Sequence, residues 1–175
     1  MPVNVLYLVW GEDVVDNGII HNQVFEQLKL IKELEPGIEL VLLAGLPLSR
    51  SYLKSPRRYK LRLARLKAEL EAAKVRARFV TLPVLPRFFY SRAFTLPLFY
   101  TAHLLLVRRL IREHHIDIVH CRSYHAANLM RWARRLLGVS CKLVFDPRSL
   151  FVDEGLLFGA FGEGSLHHKL WQGTE

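Results

Sequence analysis

The chain is poor in cysteine, in metal-ligand motifs and in long hydrophobic runs, and each shortage excludes a class of protein. Cys121 and Cys141 are too few for a disulfide scaffold and lack CxxC spacing. The eight histidines form no HExxH or paired Cys/His pattern, so we expect no metal. The longest uncharged apolar run, residues 93–107, is about 15 residues long, whereas a membrane span needs about 20. We therefore expect a reduced, cytoplasmic protein.

What the sequence does contain is a large apolar fraction and one strongly basic segment. Apolar residues make up 51% of the 175 residues, which is enough for a single globular domain over residues 1–175. The formal net charge is +9. Residues 50–78 hold eleven basic and two acidic residues, and the rest of the chain holds fourteen of each. One segment therefore carries the whole charge imbalance.

Apolar runs typical of buried strands alternate with helical stripes along the whole chain. The predicted strands are residues 3–10, 38–44, 78–82, 116–121 and 142–145. The predicted helical stripes run from 20 to 31, 57 to 75, 96 to 114, 126 to 137 and 165 to 172, with a loop over 146–164. Such alternation predicts an α/β fold, a Rossmann-like open parallel sheet of strand order 3-2-1-4-5 with helices on both faces.

Three polar segments follow the first, fourth and fifth predicted strands. They are residues 10–21, 120–125 and 146–154. In an open parallel sheet, ligands bind beyond the carboxyl ends of the strands where the strand order reverses. We therefore expect these segments to meet in one crevice.

The first of these segments offers a candidate anion site. Asn17-Gly18 lies just before the first helix, where free backbone N–H groups favour phosphate. The alternative is an ordinary turn with glycine at positive φ. The pattern is not GxGxxG and no acidic residue ends the second strand, so a dinucleotide site is poorly supported.

The fourth strand ends in a group of polar residues suited to an anionic or hydroxyl-rich ligand, namely His120, Arg122, Ser123 and His125. Taken singly, His120 is more often a hydrogen-bonded core histidine, whereas Arg122 is hard to explain by packing alone. Ser123 is also expected to cap the next helix.

The fifth strand is followed by acid, base and acid on one predicted loop. Asp146 and Arg148 come first, and Asp153 and Glu154 follow a few residues later. These side chains form either a structural ion-pair network or a set of hydroxyl-binding groups.

The basic segment, residues 50–78, has three interpretations: a solvated outer face, a nucleic-acid surface or a contact with anionic membrane. It has no nucleic-acid recognition motif and only Tyr52 and Tyr59 interleave with its charges, so we expect no nucleic acid. The aromatic residues 88–90 favour a peripheral membrane contact, unless they pack in the core.

In order and spacing, residues 17–24, 116–123 and 144–148 with Asp153-Glu154 resemble the N-terminal domain of glycosyltransferase family 4, the "group 1" retaining transferases. That family has the GT-B architecture, two Rossmann-like domains facing across a cleft. The resemblance covers essentially the whole chain. It implies that the C-terminal domain, which holds most of the nucleotide-sugar donor, lies outside these 175 residues.

The resemblance also implies a division of roles among the crevice residues. Arg122 and His120 would be catalytic, and Asn17 and Gly18 would approach the donor diphosphate. The residues expected to hold the acceptor are His21, Ser123, His125, Asp146, Arg148, Asp153 and Glu154. No metal or other cofactor besides the nucleotide-sugar substrate is expected.

Two positions depart from the family pattern. Many members have paired glycines where this chain has Asn17-Gly18, and many have a second histidine where it has Arg122. Because an arginine is always protonated, Arg122 would stabilise charge or bind acceptor and cannot act as a general base.

These observations predict one domain of a transferase acting on a polysaccharide or lipid-linked acceptor, peripheral at the inner membrane surface and inactive without its second domain. The alternative is a non-enzymatic Rossmann-like module that binds a nucleotide or a partner protein. A reading frame that continues for about 180 residues would favour the transferase, because a domain is typically of about that size.

Overall fold

A computed structural model describes residues 2–15, 18–82 and 96–174, and within them the chain forms one parallel sheet. The strands are β1 (Asn4–Trp10), β2 (Glu39–Pro47), β3 (Arg76–Leu82), β4 (Ile118–Arg122) and β5 (Lys142–Asp146). Their spatial order is β3-β2-β1-β4-β5, and all four neighbouring pairs are parallel. The predicted Rossmann-like fold and strand order are confirmed. The order reverses beside β1, which pairs with β2 on one side and β4 on the other.

Helices cover both faces of the sheet. They are α1 (Gly18–His21), α2 (Gln27–Leu34), α3 (Arg50–Lys54), α4 (Pro56–Ala72), α5 (Thr101–Glu113), α6 (Ser123–Leu137), α7 (Phe151–Leu157) and α8 (Leu166–Gln172). A π-helical segment, Asn22–Glu26, joins α1 to α2, and a 3-10 turn, Pro97–Tyr100, precedes α5.

The two faces have separate cores because successive residues of a strand point to opposite sides. Tyr7 and Val9 of β1 pack with Leu28 of α2 and Leu66 of α4. Leu6, Leu8 and Trp10 pack on the other face with residues of α5 and α6, among them Val107, Leu110, Leu129 and Met130. Buried Cys121 belongs to this second core, and burial raises the pKa of its thiol to about 12. No helix in the described ranges is long and apolar enough to cross a bilayer.

The structure corrects one helix boundary expected from the sequence and adds two helices that were not expected. The predicted helix over 57–75 ends at Ala72 as α4, and Lys74 adopts a left-handed φ of 59°. The unpredicted short helix α3 precedes it, begun by a hydrogen bond from the Tyr52 N–H to the Ser49 side chain. The expected loop over 146–164 contains helix α7. The aromatic residues 88–90 lie outside the described residues.

Gly45 provides a test of how closely β1 and β2 are packed. An ideal Cβ built on Gly45 would lie 2.6 Å from ring atoms of Trp10, which is itself buried and cannot retreat. We expect Gly45→Ala to lower the free energy of unfolding by about 2 kcal/mol, because overpacking a core forces side chains from their rotamers. Urea unfolding followed by circular dichroism measures the change.

The matched control is Gly37→Ala, where a Cβ meets nothing within 4 Å. It should change the free energy of unfolding by no more than about 0.5 kcal/mol. Equal effects of the two substitutions would contradict the close contact between Gly45 and Trp10.

Candidate functional site

The candidate site lies at the carboxyl ends of β1, β4 and β5, where the strand order reverses. In register, Val9, Arg122 and Asp146 lie side by side on three neighbouring strands, and His120 lies beside Tyr7 two residues earlier. His120 and Arg122 therefore share the face of the sheet that α2 covers. The arrangement brings the ends of three sequence-distant segments to one crevice, as the fold predicts.

Arg122 is the buried cation of this crevice, with only 3% of its surface exposed. Its Nε donates to Oε2 of Glu12 at 3.0 Å, and its Nη2 donates to Oε1 of Gln23 at 2.8 Å. Nη1 is buried and has no partner among the described residues. The ion pair makes burial of the guanidinium tolerable.

Two glutamines four positions apart contact the two arginines of the crevice. Gln23 lies within the π-helical segment Asn22–Glu26 and contacts Arg122, and Gln27 follows directly after that segment. The Gln27 Oε1 accepts from the Tyr7 hydroxyl at 3.2 Å and from Nη2 of Arg148 at 3.4 Å. Such π segments inside α-helices occur frequently at functional sites.

A second polar group is centred on Asp146 at the end of β5. Its Oδ2 lies 3.3 Å from Nε2 of His120 and 2.6 Å from Nε of Arg148. Arg148 holds a left-handed φ of 61°, which turns the chain just after the strand. Because both contacts use Oδ2, the second oxygen of Asp146 is oriented by its neighbours and left to accept a hydroxyl.

Tyr7 positions the ring of His120. The two rings stack with centroids 4.4 Å apart, so the imidazole edge is directed to Asp146. Burial raises the pKa of Tyr7 above its ordinary value, although the hydrogen bond to Arg148 and the charge of Arg122 both act to lower it. Tyr7 therefore stays protonated at neutral pH and serves as a hydrogen-bond donor.

Ser123 does not cap α6 as expected. Arg122 takes the N-cap position without a side-chain cap, and Ser123 is the first helical residue, with a left-handed φ of 71°. The Ser123 Oγ is buried and has no partner among the described residues. A left-handed non-glycine residue costs roughly 1–2 kcal/mol, and strain of this kind gathers at ligand sites.

His125, predicted for the acceptor site, is buried under α8 instead. Its ring meets Trp171 edge-on with centroids 5.1 Å apart, and only 8% of the residue is exposed. Burial lowers the pKa of His125 to about 4. Asp153 and Glu154 are exposed in the first turn of α7, and no described contact joins them to the crevice.

The first-loop residues lie against α4. Gly18 and His21 line a recess of about 280 Å³ together with Arg62 and Arg65, and Gly18 has open space above its α-carbon. Asn17 lies outside the described residues. Glu69 lines the recess as well, so the two arginines leave an excess of one positive charge beside the residue predicted to approach a diphosphate.

Sequence reasoning missed four residues of the crevice. They are Tyr7, Glu12, Gln23 and Gln27. Glu12 and Gln23 lie in residues 10–21 and 17–24, two segments that the sequence analysis assigns to the crevice. An arginine at the end of a buried strand needs a nearby carboxylate. That requirement is the signal that identifies Glu12.

No group of three or more His, Cys, Asp or Glu side chains in the described ranges could hold a metal ion.

The chain matches no protein-family model, and no curated protein matches it either. The side chains of the crevice therefore carry the functional interpretation. The crevice combines a buried guanidinium, a shared carboxylate, two amides and a phenol, groups that bind hydroxyls and anions by directed hydrogen bonds.

Removing Glu12 should expose the cost of burying Arg122. We expect Glu12→Ala to lower the free energy of unfolding by about 2 kcal/mol, less than for a fully enclosed pair because Glu12 keeps some exposure. Chemical denaturation measures it. The double variant Glu12→Ala/Arg122→Met should recover part of the loss, since it leaves no unpaired buried charge. A double variant less stable than Glu12→Ala would contradict this account.

The lowered pKa of His125 predicts an acid-sensitive core. Its folded pKa lies below the unfolded value, so the stabilisation is complete above about pH 6.5 and is lost as the pH falls towards about 4. The loss reaches about 3 kcal/mol in the free energy of unfolding. His125→Phe should flatten this part of the stability profile between pH 7 and 4. Identical profiles for the variant and the unsubstituted chain would contradict the prediction.

Proposed function

We propose that the chain is the acceptor-side domain of a retaining glycosyltransferase, which transfers a sugar from a nucleotide-sugar donor to a polysaccharide or lipid-linked acceptor. The observation that carries the proposal is the buried Arg122, paired to Glu12 and Gln23 at the point where the strand order reverses. The resemblance of the same three segments to glycosyltransferase family 4 supports it.

Arg122 would act on the charge that develops on the leaving diphosphate. A permanently protonated guanidinium stabilises this charge most strongly where water is excluded, and Arg122 is almost fully buried. Its orientation is fixed in advance by Glu12 and Gln23, so little reorganisation is needed during the reaction. The proton of the acceptor hydroxyl would pass to the leaving diphosphate, and Arg122 itself exchanges none.

Asp146, Arg148 and His120 would hold the acceptor. The free oxygen of Asp146 accepts from a sugar hydroxyl, and Arg148 donates to sugar oxygens. His120, held between Tyr7 and Asp146, would orient the reacting hydroxyl.

The donor diphosphate would approach from the recess of Gly18 and His21. Arg62 and Arg65 of α4 line this recess and complement a negative ligand. Gly18 leaves room for close approach of a phosphate because no side chain stands above it. The second domain of the proposed enzyme would supply the opposite wall and most of the donor contacts.

Ligand binding by the 175-residue chain tests the proposal. We expect short oligosaccharides to give saturation-transfer NMR signals, and Arg148→Met to weaken their binding about tenfold, because a charged hydrogen bond is lost. Nucleotide-sugars should bind weakly, and Arg122→Met should weaken them further. The matched control is Arg112→Met, an exposed arginine on α5.

Three outcomes would contradict the proposal or a part of it. Binding of free nucleotides with no binding of any glycan would favour the non-enzymatic nucleotide-binding module. Equal effects of Arg148→Met and Arg112→Met would remove Asp146 and Arg148 as the acceptor site. Measurable sugar transfer by these 175 residues alone would contradict the need for a second domain.

A further inference from the structure

The outward face of α4 is a surface that the crevice does not use. Tyr59, Leu66 and Leu70 are buried and direct one side of the helix to the sheet. Leu61 lies on the opposite side, with 64% of its surface exposed. At 100° per residue, Leu61 points about 140–180° away from the three buried side chains.

Arginines surround this exposed leucine. Arg57, Arg58 and Arg65 lie three or four positions from Leu61, the spacing that places side chains on one face of a helix. All three are exposed. We call Arg57, Arg58, Leu61 and Arg65 the α4 outer face. Exposed Leu53 and Lys54 of the adjoining α3 extend the same mixture of apolar and basic groups.

Among the described residues, the arginines of the α4 outer face form no ion pair, although Glu69 lies four positions from Arg65 and lines the same recess. On α4, Lys67 lies 3.8 Å from Glu71. Within the described part of the chain, no carboxylate forms an ion pair with Arg57, Arg58 or Arg65. Because residues 50–78 carry a net +9 and the remainder of the chain is neutral, the positive potential is concentrated on this side of the molecule.

We propose that the α4 outer face docks on an anionic lipid bilayer, with Leu61 entering the interfacial region. Each basic side chain at such a surface adds roughly 1 kcal/mol of attraction, and an exposed leucine adds apolar burial. The leucine at the centre of the ring of arginines favours a bilayer over a nucleic acid, whose phosphates are recognised by polar and charged groups. The α4 outer face is not long enough or apolar enough for permanent insertion, so the attachment is reversible.

The docking would place the crevice next to the membrane. Helix α4 begins shortly after β2 ends, at the same carboxyl edge of the sheet that carries Arg122 and Asp146. Arg57 and Arg58 are in the first turn of α4 and therefore lie towards that edge. A substrate anchored in the bilayer would approach the crevice over a short distance.

Vesicle flotation tests the surface independently of any sugar chemistry. The full chain should bind phosphatidylcholine vesicles containing one-third phosphatidylglycerol at low salt, and should not bind pure phosphatidylcholine vesicles. Raising the salt should release the protein, because surface charges are screened within about 3 Å at 1 M. Arg57→Glu/Arg58→Glu should weaken binding at least about thirtyfold, and Leu61→Ser about tenfold. Arg65 stays unchanged because it also lines the recess.

Matched controls separate the α4 outer face from general charge and hydrophobicity. Arg112→Glu/Arg134→Glu changes the net charge equally at exposed positions on α5 and α6, and Leu157→Ser removes a leucine that is 80% exposed on α7. Both controls should bind as the unsubstituted chain does. The proposal is overturned if anionic vesicles are not bound, if the controls lose as much affinity as the α4 variants, or if duplex DNA is bound and vesicles are not.

Discussion

The crevice depends on the burial of one positive charge at the end of β4. Removing a guanidinium from water costs several kcal/mol unless close partners compensate for the lost hydration. Glu12 and Gln23 supply that compensation for Arg122. Glu12 lies just after β1, and Gln23 lies in the π-helical segment. The need to satisfy Arg122 therefore holds the chain just after β1 and the π-helical segment against β4. A polar crevice at the sheet edge is the structural consequence.

Asp146, Arg148 and His120 form a second network in which a charge is again balanced by a close partner. Asp146 balances Arg148 across one short contact, and the same oxygen lies within reach of His120. Gln27 connects this network to the helix that also carries Gln23. Gln23 and Gln27 are four positions apart, a spacing that places both amides on one side of the helix in α-helical and π-helical turns alike. One side of this helix therefore serves both Arg122 at the end of β4 and Arg148 just after β5.

The fold was predictable because its determinants are local. Alternating strands and helices, with right-handed crossovers, leave few arrangements other than the observed strand order. The position of Arg122 in the crevice was predictable for a related reason, because a charged side chain at the end of a buried strand is costly unless polar groups surround it. The sequence did not predict side-chain directions that are set by how a helix is rotated about its own axis. His125 follows Arg122 by three residues, yet the direction of α6 places its ring against Trp171, and the left-handed turn at Ser123 removes its expected cap.

The two proposed surfaces differ in how their charges are balanced, and this difference assigns them different kinds of partner. Inside the crevice each cation has a partner at hydrogen-bond distance, so its field is short-ranged and the remaining donors are directional. Such a site selects a ligand by shape and hydroxyl pattern. On the α4 outer face, no carboxylate of the described residues forms an ion pair with the arginines, so their fields add and reach several ångströms into solvent. As proposed, that surface would select a charged plane and not a molecule, at the same sheet edge as the crevice. A protein built in this way would recognise a location with one surface and a substrate with the other.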